Sequence, residues 1–163
     1  MKEIPLRGQF AKGKVAIVDD EDYEYLSRYK WHVTPNGYAR KSIWDPSAKI
    51  EGSIAMHREI LVPPDTYQID HINGNKLDNR RDNLRICTPS QNKMNVGKTS
   101  KNKSGYRGVS KERRLHKWRV SIKADGRRIN LGNFYDILDA ARAYNEAAKK
   151  YFGEFARLNV IPD

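Results

Sequence analysis

Four side chains between Asp70 and Asn92 have the types and spacing that suit phosphodiester hydrolysis: Asp70, His71, Asn83 and Asn92. Asp70 is a hard oxygen ligand matched to Mg²⁺ or Mn²⁺, and the amide oxygen of Asn92 could complete the protein share of a one-ion shell. So small a set leaves coordination positions for phosphate oxygens and water. His71, next to Asp70, offers a neutral imidazole that can take a proton from water near neutral pH. Asn83 lies between them in sequence, where its amide can tie the intervening loop to the backbone.

These residues need a frame, and the local pattern supplies one. A short apolar run, Ile69 to Ile72, carries the Asp-His pair and ends at Asn73-Gly74-Asn75, a strong loop signal. Leu84, Arg85 and Ile86 read as a second strand. Thr88 and Ser90 are then candidate caps for a helix carrying Gln91, Asn92 and Asn95. The expected order is strand, long polar loop, strand, helix. His71 should face away from Asp70 or lie across the twisted end of the strand.

The stretch from Tyr67 to Asn92 (YQIDHINGNKLDNRRDNLRICTPSQN) resembles the HNH motif of the ββα-metal homing endonucleases. Asp70-His71 matches its first His with the preceding metal-binding Asp, Asn83 its middle Asn, and Asn92 its last position. Met56-His57-Arg58, Asn83-Leu84-Arg85 and Gln91-Asn92 are similar to the phage and intron-encoded branch. The resemblance covers roughly a third of the chain and implies a single-metal nuclease. Some HNH proteins add a structural zinc, but Cys87 is the sole cysteine, so no Cys-x-x-Cys knuckle and no disulfide framework is expected.

Upstream, Lys14 to Val18 reads as a strand and Glu21 to Tyr29 as a helix, with Tyr23, Leu26 and Tyr29 at helical spacing. Trp31 to Val33 and Tyr38 to Arg40 flank Pro35-Asn36-Gly37 as a hairpin. A polar loop at 45–52 follows, then Ile54 to His57 leading into Arg58 to Leu61, stopped by Pro63-Pro64. His32 reads as a strand residue rather than a ligand. His57 suits a structural hydrogen bond, a brace for the active site or a phosphate contact, and is placed outside the catalytic set. Arg85 suits either a phosphate clamp or a surface strand position.

Downstream, 93–103 is rich in Lys, Asn, Ser and Gly and reads as a basic flexible linker. Residues 104–163 form a separate pattern: strands at Tyr106 to Ser110, Lys117 to Lys123 and Arg127 to Leu131, with Asp125-Gly126 closing the second hairpin. On the second strand Trp118, Val120 and Ile122 share one face, while Lys117, Arg119, Ser121 and Lys123 share the other. A helix over Asp136 to Phe152, with Ile137, Ala140, Ala141, Tyr144, Ala147, Ala148 and Tyr151 as one stripe, covers the apolar face. The cationic face stays open, and a DNA major groove is wide enough for a β-ribbon.

Tyr106-Arg107-Gly108-Val109, Lys117-Trp118, Leu131-Gly132-Asn133-Phe134, Ala140 to Tyr144 and Leu158-Asn159 together resemble the ethylene-response-factor (Apetala-type) domain of plant transcription factors. That resemblance implies DNA contacts from Arg107, Arg119, Lys123 and Arg128, with Arg113 and Arg114 in the loop. Asn130 stands where plant members carry a DNA-facing tryptophan, and the loop from Lys111 to His116 is longer. The plant target sequence therefore does not carry over.

The charge agrees with a polyanion partner. Of a net +11, residues 1–92 contribute 14 Lys/Arg against 13 Asp/Glu, 93–103 contribute 4 against none, and 104–163 contribute 13 against 7. No basic helix with a large apolar face supports a membrane partner, and no apolar run is long enough for a signal peptide or a span. The expected protein is α+β, soluble and cytoplasmic, in a bacterial or phage-infected cell. Its parts are 1–92 with small strands, a helix and a ββα-metal module, a linker at 93–103, and a three-stranded antiparallel sheet packed on one helix at 104–163. Its expected activity is hydrolysis of double-stranded DNA by a metal-dependent, monomeric, homing-type endonuclease that needs no protein partner. The competing reading is a non-cleaving DNA-binding regulator with an inert nuclease module.

Overall fold

The computed structural model describes residues 1–45, 50–95 and 102–162. The chain divides into two compact units, Met1–Asn92 and Lys93–Asp163, and its fold is mixed α+β. Residues 96–101 of the expected linker and 46–49 of the expected polar loop lie outside the described residues.

The first unit opens on an antiparallel ribbon of β1 (Lys2–Pro5) and β2 (Val15–Val18). β2 is the expected apolar strand. β1 was not expected, because Ile4 is its one buried side chain and the alternation is too short to read. Helix α1 (Asp20–Leu26) follows, with Asp20, Glu21 and Asp22 in its first turn, where negative charge suits the helix dipole. It stops short of Tyr29. Trp31 is fully buried and donates Nε1 to the Leu26 carbonyl at 2.8 Å, so the indole is enclosed without an orphaned donor.

Strands β3 (His32–Val33), β4 (Ala39–Asp45) and β5 (Ile50–Ala55) form an antiparallel sheet in chain order. The expected turn between β3 and β4 is present, with Gly37 at φ +82°. His32 is an exposed strand residue opposite Arg40. Helix α2 (Met56–Ile60) leaves β5 directly and buries Met56 and Ile60. A buried ion pair anchors it: Lys41 Nζ donates to Glu59 Oε1 at 2.9 Å and lies 3.5 Å from the Tyr29 ring centre, while Tyr25 also donates to Glu59. Glu59→Leu strands the buried ammonium and is expected to cost about 3 kcal/mol, read as a lower urea midpoint.

Strands β6 (Gln68–His71) and β7 (Leu84–Cys87) pair antiparallel, and α3 (Pro89–Met94) follows. Ile69 and Leu84 join Val18, Leu26, Trp31 and Met56 in one apolar core.

The second unit is a sheet of β8 (Val109–Glu112), β9 (Lys117–Ala124) and β10 (Arg127–Phe134), with β9 in the centre, under α4 (Ile137–Phe152). Asp125 and Gly126 have φ +48° and +76°, the two left-handed residues that a tight hairpin turn needs. Asp136 caps α4 by accepting from the amides of Leu138 and Asp139. Val109, Val120, Ile122 and Ala124 meet Ala140, Tyr144, Ala147 and Ala148 in the core. Two expectations need correction. The stripe on α4 ends on Phe152 rather than Tyr151, which is exposed. The first strand starts at Val109, because Gly105 and Gly108 both adopt positive φ and hold Tyr106 to Gly108 in a turn.

At Gly108 (φ +71°) a Cβ would collide with two carbons on the edge of the Tyr144 ring and lie 2.8 Å from the Ser121 carbonyl oxygen. Gly108→Ala is therefore expected to destabilise this unit by more than about 3 kcal/mol, seen as early loss of the β9–β10 amides in hydrogen exchange.

Candidate active site

The site begins with strand register. Asp70 lies directly opposite Arg85, and His71 opposite Leu84. Alternation places Asp70 on one face of β6 with Gln68, and His71 on the other with Ile69. The adjacent pair thus looks in two directions, as the sequence suggested. Both are buried, at 5% and 4% exposure, so any charge on them must be compensated locally.

For Asp70 the compensation is Arg85. Its Nε and Nη2 both donate to Asp70 Oδ2, at 2.9 and 2.6 Å. Arg85 is itself nearly enclosed. It is thus not a solvated surface strand residue but the cross-strand partner of the carboxylate. Opposite charges at directly facing positions are a recognisable pairing once the register is known.

His71 sits in a small group of rings. The His57 ring centre is 5.2 Å away and nearly perpendicular, and Tyr38 is 5.9 Å away. Burial pushes the His71 imidazole below its ordinary value, against smaller upward pulls from Asn79, Asp70 and Asp78. His57 is pushed down to about 4, first by burial and then by neighbouring His71, Arg58 and Arg40. A histidine held neutral in the fold gives stability that is complete above pH 6.5 and is lost as pH falls towards 4. For His57 that is about 3 kcal/mol. His57→Gln is expected to flatten this part of the acid-unfolding profile, measured by urea midpoints across the range.

Asparagines hold the loop between β6 and β7. Asn83 Oδ1 accepts from the Asn73 amide at 3.0 Å, and its Nδ2 donates to the Asp78 carbonyl at 2.7 Å. Asn83 therefore ties the loop to the backbone, as expected of it. Asp78 is clasped by Arg80 and by Asn73 Nδ2. The loop also docks on β2, where Ile17 and Asn79 exchange backbone bonds with Leu77 and Ile17. Asn79, which the sequence reading passed over, is almost fully buried and places Oδ1 3.4 Å from His71 Nε2. Its Nδ2 is the one buried side-chain polar atom without a hydrogen bond among the described residues. Among so many loop asparagines, nothing local marks this one.

Helix α3 starts on a reciprocal cap: Gln91 N donates to Thr88 Oγ1, and Thr88 N donates to Gln91 Oε1. Thr88 is thus the cap, and Ser90 lies inside the helix. One residue on, Asn92 Nδ2 donates to Gln68 Oε1 at 2.8 Å. Because Gln68 and Asp70 share a strand face, Asn92 is fastened beside the Asp70 face. No cluster of three or more His, Cys, Asp or Glu side chains suited to a metal occurs among the described residues. One carboxylate and one amide oxygen nonetheless fit a hard divalent ion that keeps several waters and takes substrate phosphate oxygens.

In the second unit the cationic face is continuous. Register sets Ser110 and Asn133 either side of Arg119, Asn130 beside Ser121, and Arg128 beside Lys123. A bulge at Leu131 keeps Asn133 on this face. Arg113, Arg114, Arg119, Lys123, Arg128 and Asn130 are exposed, with Arg119 paired to Glu112. Arg107 differs from them. It precedes β8, and its half-buried guanidinium donates to the carbonyls of Arg157 and Met94, while Asn159 brackets its backbone. Arg107, expected among the DNA contacts, thus stands apart from the open sheet face, and its donors close the C-terminal segment onto the fold.

Residues 62–94 match the family model for the HNH endonuclease. An uncharacterized HNH endonuclease of Acanthamoeba polyphaga mimivirus is 35% identical over 157 residues, 92% of this chain and 77% of that protein. The chain belongs to the HNH endonuclease family. Protein 3.8 of Escherichia phage T7 is 34% identical over 94 residues, 58% of this chain and 77% of that protein. The second unit of this HNH protein has further relatives. Dehydration-responsive element-binding protein 2C of Arabidopsis thaliana is 47% identical over 57 residues, 34% of this chain but 16% of the plant protein. No solved structure gives a significant match. These similarities support a nuclease-type function with DNA as partner. No helix among the described residues is long and apolar enough to cross a membrane.

Proposed function

We propose that this HNH protein is a metal-dependent, site-directed DNA endonuclease of the homing type. In this reading 1–92 cuts, 93–103 tethers, and 104–163 reads the duplex. The observation that carries it is the buried pair on β6, with Asp70 and His71 adjacent, Asn83 bracing their loop and Asn92 fastened beside Asp70. Asp70 and Asn92 would hold one Mg²⁺ or Mn²⁺, which when bound supplies neutralising charge to the phosphate and the departing 3′-oxygen.

His71 is the general base. An amide oxygen accepts only, so Asn79 Oδ1 beside His71 Nε2 favours the neutral imidazole with hydrogen on that nitrogen. Burial favours that neutral form at pH 7. Water attacks phosphorus in line, giving 5′-phosphate and 3′-hydroxyl ends. Specificity falls to Arg113, Arg114, Arg119, Lys123, Arg128 and Asn130, through phosphate contacts that set register and base-edge contacts that select sequence. Arg107 supports that surface by holding the C-terminal segment. The protein acts as a monomer.

The test is supercoiled plasmid carrying the flanking DNA of the gene, incubated with Mg²⁺ or Mn²⁺ and with EDTA. Nicked or linear product that EDTA abolishes is the expected result. Tight, salt-sensitive binding without cleavage under every metal would assign the chain to the non-cleaving regulators.

A further inference from the structure

We propose that Arg85 is an internal stand-in cation that keeps Asp70 closed to free divalent ions until a DNA phosphate draws the guanidinium away. The inference rests on the reading of Asp70 as the metal-holding carboxylate. Its own basis is geometric: Arg85 faces Asp70 in register, puts two donors on the same oxygen, and is nearly enclosed beside it.

Charge decides the consequence. The Asp70–Arg85 pair is neutral, so a divalent ion entering beside it would leave two uncompensated positive charges in an enclosed site, where such charge is costly. A phosphodiester entering with the ion removes one of those charges and offers Arg85 a two-oxygen partner matched to its planar fork. Ion and DNA are therefore coupled ligands, and each strengthens the other by the same factor. Asp70 alone binds ions weakly, which limits idle loading of the site away from a duplex.

The test is Mn²⁺ binding to the full chain without DNA, read from the electron paramagnetic resonance signal of free Mn²⁺. Arg85→Gln removes the competing cation and is expected to bind Mn²⁺ at least about tenfold more tightly than wild type, the direction that loss of one nearby like charge dictates. Equal or weaker binding overturns the proposal. Should Arg85→Gln fail to fold, Arg85→Met removes the same cation while keeping an apolar stem of similar length, and Mn²⁺ affinity should again rise. The double variant Asp70→Asn with Arg85→Gln separates the two readings. Loss of Mn²⁺ binding there, with no tightening in Arg85→Gln, sinks the stand-in cation alone. Undiminished Mn²⁺ binding in the double variant places the ion elsewhere, so the reading of Asp70 falls and this inference with it. Fluorescence anisotropy of a labelled duplex gives the reciprocal measurement: Mn²⁺ at constant ionic strength should tighten DNA binding by wild type more than by Arg85→Gln, and an equal response overturns the coupling.

Discussion

Cleavage by the His71→Ala chain is expected to fall by about 10²–10⁴-fold, with DNA affinity essentially unchanged. The separation follows from where the groups lie. His71 is enclosed between Tyr38, His57 and Asn79 and offers no charge to the duplex, whereas the exposed cations cluster on the sheet of the second unit. Its contribution is a proton acceptor that burial holds neutral below the ordinary histidine range. The wild-type rate should accordingly stay level as pH drops from 7 towards 6.5, then fall as His71 gains a proton at its depressed value. Plasmid cleavage at several pH values, with anisotropy at pH 7, measures both parts. A variant that cuts at the wild-type rate would remove His71 from the mechanism, and one that loses DNA affinity equally would make the residue a structural prop.

Much of this site could be read from the chain because its parts are local. Asp70-His71, the Asn-Gly turn and Thr88, one of the two candidate caps, each lie within a few consecutive residues. Arg85 and Asn79 were not legible in the same way. The role of Arg85 appears only when the twelve-residue loop from Ile72 to Asn83 fixes which residue of β7 faces Asp70, and loop polarity carries no register information. Asn79 is selected by tertiary docking of its loop on Ile17, a contact between segments far apart in sequence.

The same contrast runs through the elements. In the second unit, alternation on β9 and the alanine stripe on α4 announced a sheet covered by one helix, since each pattern has a single way to bury its apolar side. The end of that stripe was misplaced because Tyr151 and Phe152 are both aromatic, and only the direction of the final turn buries Phe152. In the first unit β1 carries too few apolar residues to advertise itself. It forms because β2 offers an edge with matching register, which is a tertiary cause.

Replacing Arg113, Arg119, Lys123 and Arg128 together by glutamine is expected to flatten the salt dependence of DNA binding strongly while leaving the plasmid-cutting chemistry intact at saturating protein. Each cation that neutralises a phosphate releases counterions, so each lost contact lowers the slope of log affinity against log salt by about 0.9, or roughly 3–4 for all four. The geometry gives reason to treat them as one surface. Lys123 and Arg128 are cross-strand neighbours, Arg119 stands on the same face of β9, and Arg113 follows β8 in the turn that leads into β9. Glutamine keeps the stems that cover the sheet, so the fold should survive, and Arg119 gives up its ion pair with the Glu112 carboxylate. Anisotropy titrations from low to physiological salt measure the slope directly. An unchanged slope would move the DNA-binding charge to the first unit, whose cations nearly balance its acids. A changed slope with cleavage lost even at saturation would mean that the sheet positions the scissile phosphate as well as the protein.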